Sequence, residues 1–309
     1  MRNSRKDVPF DKIQTLAPIY KWPFPDVKPE TFVKDYQKAM TRVGKTKSSR
    51  PQTTSKPVTI EIAKKVLRVV EEVVNEVGLK DRNKSCNNEK SSLLLTLELR
   101  KKLTKLYSIG ISPEEWTAWV FFIVYYWGGI RSLSQSGFHT VSEQALDILK
   151  DPINKPIPFY RIASLSKVLA FFNPKDFFIF DSRVGLNLAF LQRKLTRQKA
   201  QLKFRIPPGR SNRAKEFSNN NKKEGIRLSY SDKPDETYRN YCQALKDVAI
   251  ALKLSEEEYQ LVETCLFSLE DKEENAWNQV EIPKGAKFDK AKFDEDFIAY
   301  AIEQTFFKK

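Results

Sequence analysis

Helical periodicity constrains this chain more than any other feature of its sequence. Between residues 59 and 78, Ile62, Val66, Val69, Val70, Val73 and Val77 recur at helical spacing, which lines them along one stripe of an amphipathic helix. Gly78 stands where a C-cap would end it. A second, leucine-rich helix is predicted over about 91–107. A third is announced by Ser112 and Glu115 as a capping box, with Pro113 at the first helical position. Further helices are predicted over 140–150, 161–172, 182–195, 235–252, 255–268 and 289–307, with proline-broken turns at 151–158 and 173–176 and a short apolar run at 177–180. No repeat and no convincing multi-stranded sheet interrupts this pattern. The expected fold class is mainly α.

Composition then narrows the classes of chemistry. Among 309 residues, 54 Lys and Arg stand against 39 Asp and Glu, a formal charge of +15, which points to a polyanionic partner, most simply nucleic acid. The single histidine, His139, excludes multi-histidine zinc sites and funnels any Ser/His or Cys/His mechanism through one position. Cys86, Cys242 and Cys265 form no Cys-x-x-Cys pair, so buried or idle thiols in a reducing cytosol are expected. Ten glycines make no Gly-x-Gly, and neither an ATP nor a dinucleotide fingerprint is present. No cofactor and no metal are expected.

The first thirty residues mix charge with five prolines and lack an apolar core, so secretion is not expected. The most apolar run, 116–126, is too short to span a bilayer. A cytoplasmic, nucleoid-associated monomer without membrane contact is the expectation. Residues 1–57 hold 13 basic residues against five acids and read as a basic N-terminal arm or small subdomain followed by a linker, with a helical domain over 58–309. Within that domain, residues 193–227 carry 12 basic residues against two acids, broken by Pro207, Pro208 and Gly209, and read as a basic inserted loop.

One segment carries candidate chemistry. Lys167 lies near the start of a predicted helix among apolar neighbours, and Asp181 lies fourteen residues on, just ahead of the next helix. A helix, a proline turn and a second helix can fold the two towards one cleft. A desolvated lysine loses its preference for the charged form and serves as an amine nucleophile, while an aspartate opposite can stabilise a cationic sugar transition state. From spacing alone, a surface lysine and an aspartate that caps the following helix is the simpler account.

The run Ser166-Lys167-Val-Leu-Ala-Phe-Phe-Asn-Pro174, followed by Ile179-Phe-Asp181-Ser-Arg-Val184, resembles a pattern of bacterial proteins with the 8-oxoguanine DNA glycosylase fold, in the helix-hairpin-helix glycosylase superfamily. The resemblance covers residues 160–190 and extends more weakly to Trp127-Gly-Gly-Ile-Arg131 and to 262–267. It implies a two-lobed helix-hairpin-helix DNA glycosylase-like fold, with Lys167 as nucleophile and Asp181 as the essential aspartate. The implied activity is excision of a damaged or modified base from double-stranded DNA, with abasic-site lyase chemistry through a lysine Schiff base, in repair or in defence against modified foreign DNA. The superfamily has glycines two and four residues before the lysine where this chain has Leu165 and Ala163. That departure bears on phosphate gripping by the hairpin and on strict 8-oxoguanine specificity. The alternatives are a non-catalytic DNA-binding module of the same fold and an RNA-binding protein.

The remaining candidates follow from charge and aromatic content. Trp116, Trp119, Phe122 and Tyr125 are expected to pack in the core, whereas Tyr126 and Trp127, beside Gly128 and Gly129, are candidates for the base pocket. Arg131, Phe138 and His139 are expected in a polar loop reaching a base edge or phosphate. Ser166, Arg183, Arg193, Arg197, Arg205, Arg210 and Arg213 are the candidate contacts to the DNA backbone.

Overall fold

The structure, a computed structural model, describes residues 25–42, 57–77, 89–196, 201–208, 229–230, 232–268, 281, 287–288 and 294–307. It is mainly helical, as the periodicity predicts. Among the described residues, strand is confined to a parallel pair of two residues each, β1 (Gln201–Leu202) and β2 (Ser229–Tyr230). The chain divides into two compact units, one of residues 22–177 and one of 178–309 with 1–21.

The unit of residues 22–177 contains α1 (Pro29–Met40), α2 (Ile60–Glu76), α3 (Glu89–Ile109), α4 (Pro113–Phe121), a π-helical turn (Phe122–Trp127), α5 (Gln135–Lys150) and α6 (Ile162–Phe172). Its central element is α6, against which α3, α5 and the π turn all pack. The reason is compositional: α6 is apolar on nearly all sides, and such a helix satisfies itself only by burial all round. Every residue from Ser164 to Phe172 is buried. Phe172 meets Trp116 at 4.7 Å and Tyr107 at 5.8 Å between ring centroids. Phe171 meets Trp127 edge-on at 4.7 Å.

Local signals fix the helix ends. Ser112 accepts from Glu115 N at 3.2 Å and Glu115 accepts from Ser112 N at 3.4 Å, forming the predicted capping box of α4. Glu115 also receives Lys65 of α2 at 3.0 Å. Helix α2 runs from its Thr59 cap, with Ala63, Val66, Val70 and Val73 buried. Two elements depart from the sequence reading. Residues 29–40, inside the segment predicted to be arm and linker, form α1, which packs on α2. Its Phe32, Tyr36 and Ala39 are buried at i, i+4 and i+7. Helix α5 starts five residues before the predicted 140, because Ser134 caps it by accepting from Gly137 N at 3.3 Å.

The other unit contains α7 (Ser182–Thr196), α8 (Pro234–Ala251), a 3₁₀ turn (Glu256–Glu258), α9 (Gln260–Ser268), α10 (Glu295–Ile302) and a π-helical turn (Glu303–Phe307). Helix α8 packs on α9 and α10, and α9 packs on α7. The predicted helix over 255–268 divides, because Ser255 and Glu258 close a capping box on the short 3₁₀ turn before α9 begins. Of the helix predicted over 289–307, the described part is α10 and its π turn; residues 289–293 lie outside the described residues.

Phe172 has 1% of its surface exposed and touches two aromatic rings. Phe172→Ala is expected to lower the unfolding free energy by about 3–5 kcal/mol, read from urea denaturation. A loss below about 1 kcal/mol would contradict the placement of α6 at the centre of its unit.

Candidate active site

Lys167 sits in the middle of α6 with 4% of its surface exposed. Lysines are rarely buried to this degree, because the ammonium keeps its water unless other polar groups replace it. Here the Nζ group donates to the carbonyl of Ala163, one turn back on the same helix, at 3.2 Å. The apolar stem runs against Gly128. A Cβ at that glycine would come within 2.9 Å of Lys167 Cδ and 2.9 Å of the carbonyls of Ile123 and Val124, so only glycine leaves room for the stem. The π turn ends at this glycine, with Gly128 N donating to Ile123 O at 2.7 Å. π-Helical turns of this kind recur at functional sites.

Helix α6 starts from Arg161, whose backbone is left-handed at φ 61°. Such a conformation costs a non-glycine residue about 1–3 kcal/mol; the Arg161 guanidinium lies 4.8 Å from the ring of exposed Tyr160.

The candidate pocket residues lie in the same unit as Lys167. Tyr126 donates to Asp35 of α1 at 2.8 Å and stacks on Phe32 at 5.5 Å. Burial, reinforced by the Asp35 carboxylate, raises its phenol above the usual range. Trp127 is buried, and its indole N–H donates to Thr96 at 3.2 Å. Both rings therefore fasten the π turn to neighbouring helices. Arg131 is exposed, with its guanidinium 5.9 Å from the Tyr125 ring, and its carbonyl accepts from Arg42.

Phe138 and His139 lie on α5 rather than in the predicted polar loop, because the Ser134 cap starts the helix ahead of them. Phe138 is buried edge-on to Phe121 and Tyr36. His139 is half-buried, and its Nε2 has no hydrogen-bond partner among the described residues. Desolvation holds its imidazole below the ordinary 6.5, partly offset by Glu143. Ser166 is fully buried, so its hydroxyl is not presented to a phosphate.

Asp181 belongs to the other compact unit. Its Oδ1 accepts from the backbone N–H groups of Arg183 at 3.0 Å and Val184 at 3.3 Å, so the carboxylate caps α7. The buried backbone leading to it is assigned to no helix or strand, and buried backbone groups require partners. Side chains supply them. Tyr238 of α8 donates to Phe178 O at 2.8 Å and Tyr241 donates to Ile179 O at 2.6 Å. Ile179 N donates to Glu263 of α9 at 2.5 Å. These three side chains escaped the sequence reading, since they act on backbone 60, 62 and 84 residues away.

Helix α7 continues past Asp181 with Arg183 stacked 4.8 Å from the Phe267 ring. At Gly185 a Cβ would lie 2.6 Å from Pro207 Cδ, so this glycine admits Pro207, within the basic segment, against the first turn of α7. There Arg205 lies 5.4 Å from the Tyr230 ring and Lys203 lies 5.6 Å from Phe204. Arg193 is half-buried. Burial lowers the neighbouring Lys194 amine from its ordinary range. Arg197, Arg210 and Arg213 lie outside the described residues.

Among the described residues no group of three or more His, Cys, Asp or Glu is placed to hold a metal ion, and no helix is long and apolar enough to cross a membrane. Comparison with protein-family models, with curated proteins and with solved structures returned no match.

Because burial depresses the His139 imidazole below its unfolded value, the unfolded chain binds this proton first as pH falls. Stability is therefore expected to decline as pH drops from 6.5 through the lower folded value. His139→Gln is expected to flatten that part of the curve of urea midpoint against pH. An identical slope in the variant would contradict the burial of the ring.

Proposed function

We propose that the protein is a DNA glycosylase with abasic-site lyase activity, acting on a damaged or modified base in double-stranded DNA, with a two-lobed helix-hairpin-helix glycosylase-like fold. The single observation that carries the reading is Lys167: a lysine buried in an otherwise apolar helix, its stem accommodated by Gly128. An apolar residue at this position would pack at lower cost, so stability alone does not account for a lysine there. The resemblance of residues 160–190 to the glycosylase pattern names a chemistry that requires such an amine.

In that chemistry the target nucleotide leaves the base stack. The Lys167 nitrogen attacks C1′ of the sugar through its lone pair; the N–C1′ bond forms as the bond from C1′ to the base breaks, and the base departs with the electron pair and takes up a proton that the nitrogen releases. Ring opening yields a protonated imine. Loss of a C2′ proton then expels the 3′ phosphate by β-elimination, and water releases the lysine. The role assigned to Asp181 is electrostatic, a fixed carboxylate for the developing sugar cation. Its anchoring on the Arg183 and Val184 amides suits that role, because a preorganised charge needs no reorientation during reaction. No cofactor enters these steps. The charge of +15 supports a polyanionic partner, and a monomer in the bacterial nucleoid fits the reading.

Borohydride trapping on an abasic-site duplex tests it. Lys167→Gln is expected to abolish the trapped complex with folding preserved, and Lys167→Arg is expected to fail too, since guanidinium stays protonated. Asp181→Asn is expected to slow the single-turnover reaction by about 3–4 kcal/mol while leaving duplex affinity nearly unchanged. Trapping of Lys167→Gln at the wild-type level would sink the lysine assignment. A loss of stability alone in Asp181→Asn would leave the aspartate a helix cap.

The basic segment is assigned to backbone contact. Replacing Arg205, Arg210 and Arg213 by alanine is expected to flatten the slope of log K against log salt by about 0.9 per true contact, with base preference retained. An unchanged slope would move the DNA-facing surface elsewhere, and stronger competition by RNA than by duplex DNA would favour the RNA-binding alternative.

A further inference from the structure

We infer that Glu263, with Tyr238 and Tyr241, forms a positioning device for Asp181, an inference that rests on the electrostatic role proposed for that aspartate. Residues 178–180 are buried and are assigned to no helix or strand. In a buried run of this kind the backbone N–H and C=O groups need partners. A carboxylate on α9 takes the Ile179 N–H at 2.5 Å, and hydroxyls one turn apart on α8 take the carbonyls of Phe178 at 2.8 Å and Ile179 at 2.6 Å.

The ring of Tyr241 also stacks on Phe180 at 4.2 Å, so one side chain grips both the backbone of residue 179 and the side chain of residue 180. Asp181 follows directly, and its own Oδ1 is set by two amides of α7. The carboxylate is thus fixed from both sides, by α8 and α9 before it and by α7 after it. Helix α9 is itself tied to α7, where Asn187 donates to Leu266 O at 2.6 Å, so the two clamps share one frame.

Glu263 is 4% exposed. Burying an acidic side chain to accept from a backbone amide costs more than a neutral acceptor would, so its fixed geometry is assigned a service beyond the fold. Positioning of Asp181 is that service. Glu263 and the tyrosines act through Asp181.

The test is a double-mutant cycle in the full-length chain, read by single-turnover borohydride trapping on an abasic-site duplex. Glu263→Ala is expected to slow trapping roughly 10- to 100-fold with duplex affinity unchanged. Glu263→Gln, which keeps an acceptor for the Ile179 amide, is expected to recover most of the rate, and Tyr241→Phe is expected to give a smaller loss. In an Asp181→Asn background Glu263→Ala is expected to add nothing, because a residue acting through Asp181 loses its effect when Asp181 is gone.

Full additivity of the two losses would overturn the inference and leave Glu263 a structural residue. If the wild-type chain traps no abasic site, the glycosylase reading itself fails. Amide exchange then decides the positioning claim alone: Glu263→Ala is expected to speed exchange at Arg183 and Val184, and unchanged protection there would overturn it.

Discussion

The burial of one lysine is the constraint around which the unit of residues 22–177 is arranged. Helix α6 is apolar on nearly all sides, so α3, α5 and the π turn close over it, and Lys167 is enclosed with its neighbours. An enclosed lysine needs space for its stem and an acceptor for its amine. Gly128 leaves the first and the Ala163 carbonyl supplies the second. The π turn that ends at Gly128 is fastened in turn by Tyr126 to Asp35 and by Trp127 to Thr96. The aromatic content of residues 116–127 therefore serves to hold the wall against which the lysine lies.

In the unit that contains Phe178 the corresponding constraint is the buried backbone of residues 178–180, which is assigned to no helix or strand. Its polar groups are met by Tyr238, Tyr241 and Glu263. The consequence is a rigid approach to Asp181, whose carboxylate then caps α7. Capping and catalysis are compatible uses of one aspartate. A side chain held by two backbone amides is preorganised, and preorganised charge is what electrostatic catalysis requires.

Much of this was legible in the sequence, for physical reasons that differ by element. The stripe from Ile62 to Val77 and the Ser112–Glu115 capping box are local signals, and the structure bears both out in α2 and α4. Helix α1 was not legible, because only Phe32, Tyr36 and Ala39 mark its buried side and prolines crowd the sequence before it. The start of α5 was hidden by Gly137 in its first turn, a residue that ordinarily discourages a helix. Lys167 and Asp181 stood out by their motif and their apolar flanks. Glu263 and the two tyrosines gave no signal, since side-chain bonds to distant backbone leave no periodicity to read.

The central claim is that the amine of Lys167 is a nucleophile towards an abasic sugar. The most direct measurement is mass-spectrometric peptide mapping of the borohydride-reduced adduct between the full chain and a duplex carrying one abasic site. The account expects the sugar mass on the peptide that contains Lys167. An adduct carried by lysines of the basic segment 193–227 instead, or no adduct at all, would contradict it.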